Sequence, residues 1–238
     1  MGRRWVRLAV TAKRLRDGQV DAVRSDLAGW TWSERISVGM RRDFESDDER
    51  PGLNRVPLEA VPLDDRLAAV TFDPTGLGDR DRHYLERRRA IWDAEIRGAW
   101  VAIDPDGRPA YLQWLIPSDQ AERVAEYWGP LFPELAPDTL LVEGAWIPPA
   151  FRGQKVMGDG LFLVSEAARA AAGPAVRYAL CYPEADNRGV VLGSRSAGYR
   201  VVERRVESWR LGRRSVRFEP AGEEAFPVFE PRKVAGRS

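Results

Sequence analysis

The chain has 238 residues and a formal charge of +1, from 37 Lys and Arg against 36 Asp and Glu. That balance gives no global field to recruit nucleic acid or a membrane surface, so neither is expected as a partner and any anion must be bound by local groups. The single cysteine, Cys181, and the single histidine, His83, cannot build a disulfide framework or a zinc site, and they leave Ser-His and Cys-His nucleophile chemistry without support. The chain is long enough to bury a full core. No apolar run approaches the roughly 20 residues needed to span a bilayer, and the Arg-rich start lacks the apolar stretch of a signal peptide, so a soluble cytoplasmic protein is expected.

In chain order, residues 3–15 put Trp5, Leu8, Ala9, Ala12 and Leu15 on one helical face and Arg3, Arg4, Arg7 and Arg14 on the other. This predicts an amphipathic extension over 1–30, either docked with a solvated basic face or serving a membrane surface or a partner. A β-leaning segment follows near 35–43, and then a charged, turn-rich connector, ESDDERPGLNR. Residues 79–96 carry Tyr84, Leu85, Ile91, Trp92 and Ile96 at helical spacing, most simply for core packing. AWVAI and AYLQWLI flank DPDGRP, which reads as a hairpin. A helix over 118–132 groups Ala121, Val124, Ala125 and Trp128 and stops at Gly129 and Pro130. Then come the strand TLLVEGAWI, a helix over 156–172 ending at Gly173, the strand AVRYALCY, a short helix over 187–197, and a last pair of strands turning near Gly212. This order predicts an α+β domain with one mixed, mostly antiparallel twisted sheet flanked by helices, spanning 31–218 and followed by a tail over 219–238.

Between the strand TLLVEGAWI and its following helix stand Pro148, Pro149, Arg152, Gly153, Gln154, Lys155 and Gly158. A helix N-terminus has unpartnered N–H groups and partial positive charge, so it suits a phosphate or pyrophosphate. Gly153 lets a ligand approach the backbone, while Arg152 and Lys155, one of only three lysines, bring positive charge. Neither a Walker loop nor a full G-x-G-x-x-G fingerprint is present. A bland alternative leaves the glycines to shape a turn and the cations to face solvent.

WIPPAFRGQKVMGDGLF resembles the acyl-CoA pyrophosphate loop of the GCN5-related N-acetyltransferases (GNAT superfamily), roughly Q/R-x-x-G-x-G/A between a strand and a helix. EADNRGVVLGSRSAGYRVVE is similar to the second signature of that superfamily, with Asn187, a short helix, and Gly198-Tyr199 entering a strand. The resemblance covers roughly 99–212, and residues 1–75 carry no part of it. With Arg152 as the first motif residue, Lys155 and Met157 replace the two small positions while Val156, Leu161 and Val164 fall on the buried face. With Lys155 first, Gly158 and Gly160 match but Asp159 lands where an apolar residue belongs. The first register is preferred, and it implies a cradle of backbone N–H groups over 153–158, with Arg152, Gly153, Gln154, Lys155, Val156, Met157, Gly158 and Asn187 binding the cofactor.

The resemblance further implies direct transfer from an acyl-CoA, acetyl-CoA by default, to a small-molecule amine across a splayed pair of parallel strands. Backbone N–H near Ile147 would hold the thioester carbonyl. Glu143, the only acid on its strand, is either the general base, an exposed strand residue or an arginine's partner. Plain strand alternation places Glu143, Ala145 and Ile147 on one face, and Val142 and Gly144 on the other. Ser194 stands where tyrosine usually supplies the departing thiolate's proton, so Tyr182, Tyr199 or water are alternative sources. Of Trp30, Trp32, Trp114, Trp128 and Trp146, the last is the best candidate for an acceptor or acyl pocket. The expected function is an acyl-CoA-dependent N-acyltransferase without a metal, compatible with a homodimer. A longer acyl donor, a non-catalytic acyl-CoA-binding module and a binder acting through the basic N-terminal helix are the alternatives.

Overall fold

A computed structural model describes residues 32–46, 56–211 and 213–229. The amphipathic extension over 1–30, with Trp30, most of the acidic connector, Gly212 and residues 230–238 lie outside the described residues, as does the side chain of Trp32.

Eight strands form one sheet: β1 (Trp32–Asp43), β2 (Glu59–Pro62), β3 (Ala99–Ile103), β4 (Pro109–Ile116), β5 (Thr139–Trp146), β6 (Tyr178–Cys181), β7 (Arg200–Arg210) and β8 (Arg213–Pro220), in the order β2-β3-β4-β5-β6-β1-β7-β8. The helices are α1 (Asp65–Thr71), α2 (Asp79–Asp93), α3 (Ala121–Trp128), α4 (Val156–Ala172) and α5 (Arg188–Ser196). The sheet is mixed and mostly antiparallel, the expected fold class; β5 and β6 are a parallel pair, and the helical crossover α4 connects them. The short strand β2 and the helix α1 were not legible in the sequence. Helix α2 stops at Asp93, three residues short of the expected end, because the chain turns through Glu95 and Gly98 at positive φ.

The chain divides into two compact units. One comprises residues up to Ile36 together with Val206–Arg217, the other Ser37–Arg205 with Phe218 onward. Within the first, Glu207 accepts from Arg214 at 2.6 Å and from Trp209 Nε1 at 2.9 Å. The second unit holds the motifs. Its cores lie on opposite faces of the sheet. One gathers Val156, Leu161, Val164 and Ala168 of α4 and Val191 of α5 over Tyr111, Leu140 and Val142. The other gathers Ala68 of α1, Leu85 and Ile91 of α2 and Val124 of α3 over Leu112, Trp114, Leu141 and Trp146. The first part of the segment expected as a tail packs on α5: Phe226 and Phe229 cover the α4-side core, and Glu223 pairs with Arg195 at 3.1 Å.

Candidate active site

Parallel pairing runs from Thr139↔Tyr178 to Val142↔Cys181 and goes no further, although β5 continues to Trp146. The cleft between the strands therefore opens at Glu143. At the same level β5 carries a β-bulge. Trp114 of β4 pairs with Glu143 and Leu112 with Trp146, so three steps on β5 face two on β4. Gly144 takes φ +76°, and a side chain there would run into Trp114 and Ile91. Gln113 donates its amide to the Glu143 carbonyl and accepts from Tyr111 Oη at 2.6 Å, closing the bulge from within the sheet.

The bulge corrects the expected facing of the strand. One extra residue reverses the alternation, so Ala145 and Ile147 pack on the α4-side core with Val142, while Trp146 joins Leu141 in the opposite core. Glu143 is separated from Ala145 and Ile147 and lies within electrostatic reach of Arg88 on α2, whose guanidinium burial pushes below its ordinary range. Arg88 donates Nε to the Ala145 carbonyl at 3.2 Å and Nη1 to the Tyr84 carbonyl at 3.3 Å.

After Trp146 the two prolines end the strand, a 3-10 turn over Pro149–Phe151 buries Phe151, and Gln154 donates to the Ala150 carbonyl at 2.8 Å. Lys155 caps α4 in the left-handed region, φ +62°, a conformation natural to glycine, and it is the position where the motif has glycine when Arg152 comes first. Gly153, at φ +79°, has no heavy atom near the place a Cβ would occupy, so its backbone is open to approach. The first turn of α4 presents the N–H groups of Val156, Met157 and Gly158. Gly158 serves a second purpose: α5 crosses so close that a methyl there would strike Ser196, just as one on Gly193 would strike Met157. Asp159, in the same turn, is buried and its carboxyl is raised by desolvation, with Lys155 acting the other way.

Arg152, though exposed, is engaged by the protein's own groups. Its Nε reaches the Ile147 carbonyl at 3.1 Å, its two terminal nitrogens hold Asp81 of α2 at 2.8 and 3.0 Å, and it stacks on Trp146 at 5.1 Å. Trp146 is itself buried, as is Trp114, while Trp128 packs edge-on against Phe132. Asn187 caps α5, its Oδ1 accepting from Val190 N at 3.4 Å. Ser194 is 1% exposed, with its hydroxyl 3.8 Å from Cys181 Sγ. Burial pushes that thiol up to about 12. Tyr199 bonds Ser165 at 2.9 Å, and Tyr182 donates to Glu203. Burial raises both phenols above their ordinary range.

Around the cleft's apex, where Val142 and Cys181 form the last pair, Ser194 meets Cys181 on the α4 side, while Glu143 follows Val142 and faces the side of Trp114, so the two expected catalytic residues lie on opposite faces of the sheet. Sequence reasoning missed Asp81, Arg88 and Gln113. Gln113 had a legible signal, a lone amide in an apolar strand; Asp81 and Arg88 stand among too many charges to be singled out. Two concavities, of about 420 and 240 Å³, are lined by Glu95, Arg97, Gln120 and Arg123 and by Ile96, Glu126 and Tyr127, none of which belongs to the motif.

No family model and no curated protein matches the chain. Among solved structures it is similar to a GNAT-family acetyltransferase from Colwellia psychrerythraea, at 14% identity and TM-score 0.46 over 85% of this chain and 62% of that one. It is also similar to a GCN5-related N-acetyltransferase from Sphaerobacter thermophilus, at 13% identity and TM-score 0.44 over 84% and 57%. A third is a GCN5-related glucosamine N-acetyltransferase region of a fungal multi-domain GH3 beta-N-acetylglucosaminidase, at 13% identity and TM-score 0.45 over 79% and 22%. The chain spans about three fifths of the length of the first two.

Proposed function

We propose that the chain is an acyl-CoA-dependent N-acyltransferase that moves an acyl group, by default acetyl, to the amine of a small molecule. One observation carries the reading. The parallel strands β5 and β6 part after Val142 and Cys181, and β5 leads through a left-handed Lys155 into the N-terminus of α4, so a cleft and an anion-binding helix end adjoin. A pyrophosphate fits the open backbone at Gly153 and the first N–H groups of α4, and Lys155 supplies charge. Asp159 opposes it, which favours a modest rather than a tight anion site.

In the proposed reaction the amine nitrogen attacks the thioester carbon, the carbon–sulfur bond breaks, and the thiolate departs. Peptide N–H near Ile147 steadies the carbonyl oxygen, and Glu143 takes the ammonium proton. Ser194 turns its hydroxyl to Cys181, so the thiolate leaves unaided or takes its proton from water. Calorimetric titration with coenzyme A and acetyl-CoA, followed by thiol release over an amine panel, tests the reading; no coenzyme A binding at millimolar concentration rejects it.

The inward-turned Ser194 and the engaged Arg152 favour a second reading, an acyl-CoA-binding module without turnover. Coenzyme A binding without thiol release for any amine would select it.

A further inference from the structure

Beyond Val142 no β6 residue pairs with β5, yet the β5 carbonyls have partners among side chains. Glu143 O accepts from Gln113, Ala145 O from Arg88 at 3.2 Å, and Ile147 O from Arg152 at 3.1 Å. Two of these three donors are mounted on α2. Arg88 belongs to it, and Arg152 is held by it through two parallel bonds to Asp81. Asp81 and Arg88 are two helical turns apart and share one stripe of α2, so one rigid element carries both attachments.

All three guanidinium nitrogens of Arg152 have a partner, which sets it apart from Lys155, exposed at the mouth of α4. A bidentate arginine–carboxylate pair fixes position as well as charge. The side chain of Asp81 is 22% exposed and that of Arg152 44%, so water is kept from the carboxylate side of the pair while the guanidinium still meets solvent. Donors that stabilise a developing oxyanion work only if they are held within a few tenths of an ångström, and beyond Val142 β5 is paired on its β4 edge alone, across a bulge, so its other edge is not held by a backbone ladder.

We infer that Asp81 is a positioning residue. It fixes Arg152, and through Arg152 it holds the 145–147 end of β5 where the thioester carbonyl would sit. Arg152 accordingly acts on the strand, and the pyrophosphate charge falls to the α4 N-terminus and Lys155. The inference rests on the acyl-transfer reading for its chemical meaning, but the mechanical part can be tested without any ligand.

Asp81→Asn keeps the side chain's shape and removes its charge; Asp81→Glu keeps the charge. Hydrogen-exchange mass spectrometry of the full chain alone should show peptides covering 143–147 exchanging about tenfold faster in Asp81→Asn, with β3 and β4 peptides unchanged and Asp81→Glu closer to wild type. Calorimetry with coenzyme A should give a Kd within about threefold of wild type for both Asp81→Asn and Arg152→Gln, less than a complete charge-assisted contact is worth. With an accepting amine, kcat should fall about tenfold while KM for the acyl donor holds. Unchanged exchange at 143–147 overturns the positioning role whatever coenzyme A does. A tenfold loss of affinity in Arg152→Gln but not in Asp81→Asn also overturns it and makes Arg152 a ligand. A wild type that binds no coenzyme A, with faster exchange in Asp81→Asn, removes the acyl-transfer reading and leaves Asp81 as the fastening of β5 alone.

Discussion

Gly160 lies on α4 where the helix crosses β4, and a methyl built there would stand 2.6 Å from Tyr111 Cγ and 2.8 Å from Cβ and Cδ1. Tyr111 has no room to yield: it is fully buried, and its hydroxyl is bonded to Gln113, which in turn closes the β5 bulge. Gly160→Ala must therefore displace the helix or the ring. Overpacking of this kind costs about 1–3 kcal/mol, and loosening the Tyr111–Gln113 bond adds about 1 kcal/mol. The gain in helix propensity from Gly to Ala returns about 1 kcal/mol. The net expectation is a loss of about 1–3 kcal/mol, or roughly 2–12 °C in melting midpoint for a chain of this size. Gly158→Ala is the control. Its methyl meets the end of Ser196, which can swing away at the expense of its 2.8 Å bond to the Gly193 carbonyl, so the same propensity gain leaves it within about 1 kcal/mol of wild type. Urea unfolding of the three proteins decides the matter. If Gly160→Ala unfolds at the wild-type midpoint, or Gly158→Ala proves the more damaging, the packing argument at the bulge is refuted.

Glu143→Gln should lower turnover at neutral pH by about 10²-fold, with partial recovery at high pH where an amine of pKa near 10 loses its own proton; a loss uniform across pH with a lower melting midpoint would make Glu143 merely the electrostatic partner of Arg88. Asp104, in the β3–β4 turn, is held below the ordinary aspartate range by Arg108, which bonds it at 2.6 and 2.8 Å. A depressed carboxyl stabilises fully above its unfolded value, near pH 4, and stops doing so as pH falls through its lowered folded value. The stability gap between wild type and Asp104→Asn should therefore be full at pH 7 and shrink below about pH 4; denaturant titrations at both pH values would show it, and a gap that widens in acid contradicts the assignment. Lys155→Gly should raise the melting midpoint by about 2–4 °C, because it relieves about 1 kcal/mol of left-handed strain, while weakening coenzyme A binding; a lower midpoint would mean that the lysine side chain contributes more than its backbone costs. The Cys181 thiol, buried and pushed up to about 12, should ignore a thiol reagent at pH 8 until the chain is unfolded, and rapid labelling of the folded protein would overturn that burial.

Local chemistry determined what could be read from residues near each other in the chain. The DPDGRP turn, the proline pair before Arg152, the apolar stripe of α4 and the capping Asn187 each act within a few residues, so helix α4, the β3–β4 hairpin and the strand-to-helix site were legible before any folding. Only tertiary structure decided the rest. The place of β1 between β6 and β7 depends on residues far apart in sequence, such as Ser37, which bonds Arg205 across 168 positions. The facing of Glu143 turned on one extra residue at Gly144, and a bulge is set by how two strands meet rather than by either strand alone. The partners of Arg152 were hidden for the same reason. A carboxylate 71 residues away lies within 3 Å of that guanidinium, and charge pairing is a matter of distance in space, which the order of residues does not give.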